Sequence, residues 1–269
     1  MSLQTEKIKE KIAIVVAHPD DEILWFSSIL YKASKIIICF SKYEPNHIWT
    51  DGREKVINNY PLSTIKSLDL TESDVFLAAD WRSPQYTKYG LKLSNINNIR
   101  DRYINNYNIL KELLHDELVD FTTVYTHNPW GEYGHEEHVQ IYTAVNYLQK
   151  LLGFNLFFDN YCSNRSNLLM NKWLSKNNVS WHTLETNIQI ANQIKDLYKH
   201  YNCWTWFDNW NWFSTESYLT NIPVTENSIN RIPLNYINVD YPMDARNCPK
   251  LTYRLMNRIR KLLLTTFNL

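Results

Sequence analysis

The stretch that decides the reading is VAHPDDE, Val16–Glu22, which follows the apolar run KIAIV at 11–15. A short apolar run that ends abruptly in a polar cluster reads as a buried strand delivering its residues to the carboxyl edge of an open α/β sheet, where such sheets bind ligands. Pro19 suits a first helical position, where its missing N–H costs nothing, and Asp20, Asp21 and Glu22 then fall in the first turn. Acids there complement the helix dipole by about 0.3–1 kcal/mol each, so the acidic run alone reads as a helix start.

Working outward, short apolar runs alternate with longer helical patterns. KIAIVVA (11–17), KIIICF (35–40), DVFLA (74–78), FTTVYT (121–126) and FNLFF (154–158) read as strands. Between them, 21–34, 53–68, 96–114 and 135–152 mostly carry apolar residues at three- and four-residue spacing, with Pro61 expected to kink or split the second. The alternation predicts an α/β, Rossmann-like, mainly parallel sheet with helices on both faces. After about residue 160 the pattern blurs into a helical and aromatic C-terminal annex. The 269 residues fit a single domain over 1–269, with a core at about 8–160 and the annex at about 161–269.

Lys+Arg and Asp+Glu both total 28, so no global field draws the chain towards nucleic acid or anionic lipid. The four cysteines are widely spaced with no CxxC pair, and read as reduced thiols rather than a disulfide frame or zinc knuckle. The charged N-terminus lacks an apolar core and no run approaches eighteen apolar residues, which makes a cytoplasmic location the expectation. Two C-terminal features stand apart. KHYNCWTWFDNWNWF (199–213) reads as a packed annex, or as a platform covering a pocket. KLTYRLMNRIRKLLLTTFNL (250–269) is a basic amphipathic helix, read as docked on the domain, with a peripheral membrane or lipid-linked substrate contact through 250–264 as the other reading.

A second polar cluster, HNPWGEYGHEEH at His127–His138, follows another expected strand. If that strand lies parallel and close to the first, both clusters meet at one rim of the sheet. A histidine, a carboxylate three residues on and a distant histidine form a mixed nitrogen and oxygen set, the pattern of a catalytic zinc site with a fourth position for water. Spacing leaves open whether His135 or His138 is the ligand, whether Glu132, Glu136 or Glu137 takes part, and whether Asp20 or Asp21 does.

AHPDDE (17–22) and GEYGHEEH (131–138), in this order and over roughly the first 150 residues, resemble the zinc-dependent de-N-acetylases related to GlcNAc-phosphatidylinositol deacetylase, the PIG-L or LmbE-like family. The resemblance assigns zinc to His18, Asp21 and His138. It makes Asp20 the general base that deprotonates the attacking water, His135 the oxyanion donor or acid, and Tyr133 a residue that helps polarise the substrate carbonyl. Arg53 and Asp80 correspond to substrate-contacting positions, and His127, at a strand end beside the site, is divided between substrate contact and structural hydrogen bonding. The chain departs from the family in carrying ILWFSS after HPDDE, so that Trp25 and Phe26 imply bulky packing or a pocket wall. It departs again in a longer segment, SKYEPNHIWTDG (41–52), after the second strand.

The expected function is hydrolysis of the N-acetyl amide of an N-acetylglucosamine-type sugar in a larger conjugate, with Zn2+ as cofactor and no nucleic-acid partner. The alternatives are metal-dependent hydrolysis of another acyl, ester or phosphoester bond, and a glycan-binding module without turnover.

Overall fold

The computed structural model describes residues 10–94, 97–221 and 232–239. The chain divides into two compact units, Met1–Ile237 and Asn238–Leu269. The expected basic helix at 250–269, with its contact range 250–264, lies outside the described residues, among which no helix is long and apolar enough to cross a membrane.

The elements run β1 (Ile12–Val16), α1 (Asp21–Phe26), β2 (Lys35–Lys42), α2 (His47–Asn58), β3 (Ile65–Thr71), the ribbon β4 (Tyr86–Thr87) and β5 (Gly90–Leu91), α3 (Asn97–Leu118), β6 (Thr123–Thr126) and α4 (Glu136–Leu152). There follow β7 (Asn155–Asp159), β8 (Tyr161–Ser163), α5 (Asn167–Leu174), β9 (Ser180–Glu185), α6 (Ile188–His200), β10 (Thr215–Thr220) and β11 (Asn235–Ile237). Seven strands form one sheet in the order β3-β2-β1-β6-β7-β10-β9. The first five are parallel, and β10 pairs antiparallel with both β7 and β9, as the mainly parallel α/β reading allows. All five residues of β1 are buried, which is why that strand reads as a continuous apolar run.

The strand order reverses between β1 and β6, whose neighbours on either side are built in opposite directions along the chain. At such a reversal the crossover connections lead away to both sides and leave a crevice beyond the strand ends. Val15 pairs with Thr126, so residues 17–22 and 127–138 leave the sheet side by side.

Two expectations are corrected. DVFLA (74–78) is not a strand, for Asp74 and Leu77 hold φ of 58° and 69°, and the segment forms a loop. Glu136 accepts from Leu77 N (3.2 Å), Ala79 N (2.8 Å) and Trp81 Nε1 (3.0 Å), supplying partners that a sheet ladder would otherwise provide. The third strand is Ile65–Thr71, within and just beyond the expected helix at 53–68, which ends at Asn58 ahead of Pro61. The second half of the long segment 41–52 is likewise helical, because α2 begins at His47.

The C-terminal part is more than an annex, since β9 and β10 extend the main sheet. Buried Glu216 hides β10 from a hydropathy reading. Its carboxylate accepts from Ser27 N and Oγ, Ser28 N and Tyr218 OH at 2.6–3.2 Å, which ties the new edge to the turn after α1.

Candidate metal centre

The loop between β6 and α4 is shaped by its two glycines. Gly131 and Gly134 adopt φ of +67° and +89°, which L side chains rarely tolerate, and Gly134 N and His135 N both donate to Gly131 O. This turn delivers His135 to the N-cap of α4 and places His138 one turn later, on the face towards β1. From the other side, His18 N donates to Asp21 Oδ2 (2.7 Å), which folds the start of α1 back onto the end of β1.

Three donor atoms converge. His18 Nδ1 lies 3.3 Å from Asp21 Oδ2, His138 Nε2 lies 3.3 Å from His18 Nδ1, and His138 Nε2 lies 3.4 Å from Asp21 Oδ2. Ligands about 2.0–2.1 Å from one ion at tetrahedral angles would be separated by about 3.3–3.4 Å. The triangle has the size of a tetrahedral metal's protein face.

The opposite nitrogen of each histidine is anchored by an acid. His18 Nε2 donates to Glu137 Oε2 (2.9 Å), itself fixed by Ser73 N (2.6 Å). His138 Nδ1 donates to Glu132 Oε2. Such carboxylates set the tautomer and raise ligand basicity in metal sites. Asp21 is held in the same way, its Oδ1 accepting from Trp25 Nε1 (2.9 Å). Of the three glutamates that spacing left open, Glu132 and Glu137 hydrogen-bond imidazoles and Glu136 holds the 77–81 loop.

His127 departs from its substrate-contact reading. It is fully buried, its Nε2 accepts from Ala17 N (2.8 Å) and its Nδ1 donates to Glu132 Oε1 (3.1 Å). Burial opposes charge on the ring, while Glu132 and Asp21 push it up to about 9. The Ala17 N–H aimed at Nε2 nevertheless requires a lone pair there, which makes the ring neutral with its proton on Nδ1. It is a prop beneath the donor triangle.

Charge at the cluster favours a cation. Burial opposes the charged form of His18, yet Glu72, Asp21 and Glu137 push it well above the ordinary imidazole value. Burial likewise opposes ionisation of Asp21, and the neighbouring His138 holds it well below the usual carboxylate range.

Asp20 and His135 flank the triangle. Asp20 occupies a left-handed conformation (φ 95°) at the N-cap of α1. Burial and the adjacent Asp21 push its carboxyl up to about 8, against the pull of Thr205 and Arg53. His135 Nδ1 accepts from Glu137 N (3.2 Å), leaving Nε2 to carry the proton. Burial and the neighbouring His18 and His138 hold this ring well below the usual value, so it is a neutral donor. Phe76 stacks on it with centroids 5.1 Å apart.

The remaining expected residues are less uniform. The Tyr133 ring lies 5.2 Å from His138 and 5.7 Å from His135, at the same site. Arg53 is buried in an ion pair with Glu72 (2.5 Å), and its charge acts on Asp20. Asp80 accepts from Arg82 N (3.2 Å) in a turn of its own. Trp25 is fully buried, edge-on to Trp206 at 5.5 Å, which is the bulky packing its size implies. The segment 199–213 reaches the site through Trp206, whose ring is 4.7 Å from Tyr133, and through Thr205, which hydrogen-bonds Asp20. Only its density of tryptophan marked this segment in the sequence.

No protein-family model and no curated protein matches the chain. Among solved structures it is similar to a deacetylase–teicoplanin complex from teicoplanin biosynthesis, at 10% identity over 78% of this chain and 97% of that one, with a TM-score of 0.48. It is also similar to N,N'-diacetylchitobiose deacetylase from Pyrococcus horikoshii, at 12% identity over 75% and 73%, with a TM-score of 0.41. A third is the A40926 pseudoaglycone deacetylase, at 12% identity over 78% and 96%, with a TM-score of 0.40.

Proposed function

We propose that the cluster is the centre of a zinc-dependent hydrolase that removes the N-acetyl group from an N-acetylglucosamine-type amino sugar in a larger conjugate. The observation that carries this reading is the triangle of His18, Asp21 and His138 donors at 3.3–3.4 Å, each histidine backed by a carboxylate. With no cysteine and only three donors, the set is of the kind that keeps one metal position open for chemistry. Zinc held there supplies Lewis acidity to the amide carbonyl and brings the pKa of a water towards about 7.

The chain's own residues divide the remaining work. Asp20 takes a proton from the attacking water and returns it to the leaving amine. His135, neutral with its proton on Nε2, donates to the developing oxyanion. Tyr133 closes the site over His135 and His138 and helps polarise the carbonyl. Arg53 restrains the rise of the Asp20 pKa from its buried position beside Glu72.

The test is acetate release from a panel of N-acetylglucosamine conjugates by metal-replete protein, alongside elemental analysis. Asp20→Asn is expected to lower turnover at least a thousandfold while one metal per chain stays bound. Undiminished turnover in that variant would remove Asp20 from the base role. Release of phosphate or of another acyl group in place of acetate would change the bond cleaved.

A further inference from the structure

The aromatic segment after α6 does more than roof the site. Thr205 Oγ1 donates to Asp20 Oδ2 at 2.6 Å, and Thr205 N donates to the same oxygen at 3.2 Å. Both bonds go to Oδ2, which leaves Oδ1 as the oxygen for a proton. Thr205 lies 185 residues from Asp20 and is exposed, so burying a side chain of its own is not its contribution.

The segment is fixed on both sides of Thr205. Before it, Cys203 packs against α2 at Gly52, where a Cβ would come within 2.9 Å of Cys203 Cβ and 2.4 Å of Tyr201 O. Cys203 N donates to Tyr198 O (3.0 Å), and Lys195 sits over the Trp204 ring at 5.3 Å. After it, Trp206 is wedged between Tyr133 (4.7 Å) and Trp25 (5.5 Å). A hydroxyl held this firmly loses little entropy on orienting a carboxylate. The Asp20 backbone is fixed from the same quarter: Glu22 Oε2 accepts from Asp20 N (2.9 Å), while Glu22 Oε1 accepts from Tyr198 OH (2.8 Å) and Tyr60 OH (3.0 Å).

We propose that Thr205 is a positioning residue for the reaction, its hydroxyl and N–H clamping Oδ2 of Asp20 so that Oδ1 faces the attacking water. The inference rests on the reading of Asp20 as general base and assigns a role in the chemistry to the tryptophan-rich segment.

Thr205→Val keeps the shape and the backbone N–H but removes the hydroxyl, and Thr205→Ser restores it. In metal-replete protein acting on the best N-acetylglucosamine conjugate, Thr205→Val is expected to lower kcat about tenfold to a hundredfold, the factor that loss of a charge-assisted hydrogen bond brings. KM stays within about twofold, metal content is unchanged and Thr205→Ser recovers most of kcat. An unchanged kcat in Thr205→Val, a rise in KM alone, equal loss in both variants, or loss of metal from either would overturn the proposal. Crystal structures of both variants supply a reading independent of turnover. The Asp20 carboxylate is expected to rotate away in Thr205→Val and to keep its place in Thr205→Ser, and an unmoved carboxylate in Thr205→Val overturns the clamp. If wild-type protein releases no acetate from any conjugate, the deacetylase reading fails on its own, and the crystal structures still decide whether Thr205 holds Asp20.

Discussion

Glu132 has one carboxylate and two imidazoles to satisfy, His127 Nδ1–H on Oε1 and His138 Nδ1–H on Oε2. His127 and His138 both push its pKa far below the ordinary carboxylate range, despite the burial that opposes this. An amide offers one acceptor and turns an N–H2 towards the other ring. Glu132→Gln is therefore expected to weaken metal binding tenfold to a hundredfold, the usual effect of losing such a partner. Competition with a chromophoric chelator measures it, and wild-type affinity in the variant would mean the acid is incidental. At this scale the sequence was uneven. Spacing pointed to the two motifs but left His135 beside His138 and Asp20 beside Asp21, and only the family resemblance chose His18, Asp21 and His138. The three glutamates of the second cluster look alike as letters, and their separate duties follow from what each meets: two distant histidines for Glu132, Ser73 and His18 for Glu137, and the 77–81 loop for Glu136.

Among the elements, α2 shows how a small residue sets a long-range contact. Gly52 lies on the helix face against which residues 201–203 run, and a methyl group there would sit 2.4 Å from the Tyr201 carbonyl, a backbone atom that cannot swing aside. Gly52→Ala is expected to destabilise the fold by about 1–3 kcal/mol, the usual range for overpacking. Thermal unfolding would register this as a fall in Tm of several degrees. An unchanged Tm would mean that the 201–203 stretch is free to retreat. Periodicity read the buried strands correctly, because β1, β2 and β7 are mostly or wholly apolar and β6 is a short, fully buried run with Val124 and Tyr125 at its middle. It misassigned the third strand because β3, at the edge of the parallel run, is partly exposed, while the apolar residues of 74–78 belong to a loop that folds over α4.

For the molecule as a whole, Glu117 at the end of α3 joins layers by accepting from Lys35 on β2 (2.8 Å) and Lys66 on β3 (2.5 Å). Partial burial raises its pKa, but the two lysines outweigh that and hold the carboxyl below its ordinary value. A carboxylate whose folded pKa is depressed contributes stability above its unfolded pKa of about 4.3, and that contribution disappears as pH falls through the folded value. With Lys66 half exposed, the contribution is at most about 1 kcal/mol. Glu117→Gln is thus expected to lower Tm by a few degrees at pH 7, with the deficit shrinking as pH falls below the unfolded value. A deficit that stays constant across that acid range would attribute the effect to packing.

The sequence by itself determined the mainly parallel α/β core and two polar motifs at strand ends, since both depend on local periodicity and on strands that end in polar residues, while the adjacency of β1 and β6 that brings those motifs together is tertiary. Tertiary structure alone decided which acids support which histidines, where the third strand lies, and that a threonine 185 residues from Asp20 holds it. These are contacts between segments whose letters carry no trace of their partners. Hydropathy records whether a residue is buried, whereas the direction of a hydrogen bond is fixed only when the sheet order brings β1, β6 and the tryptophan-rich segment to the same crevice.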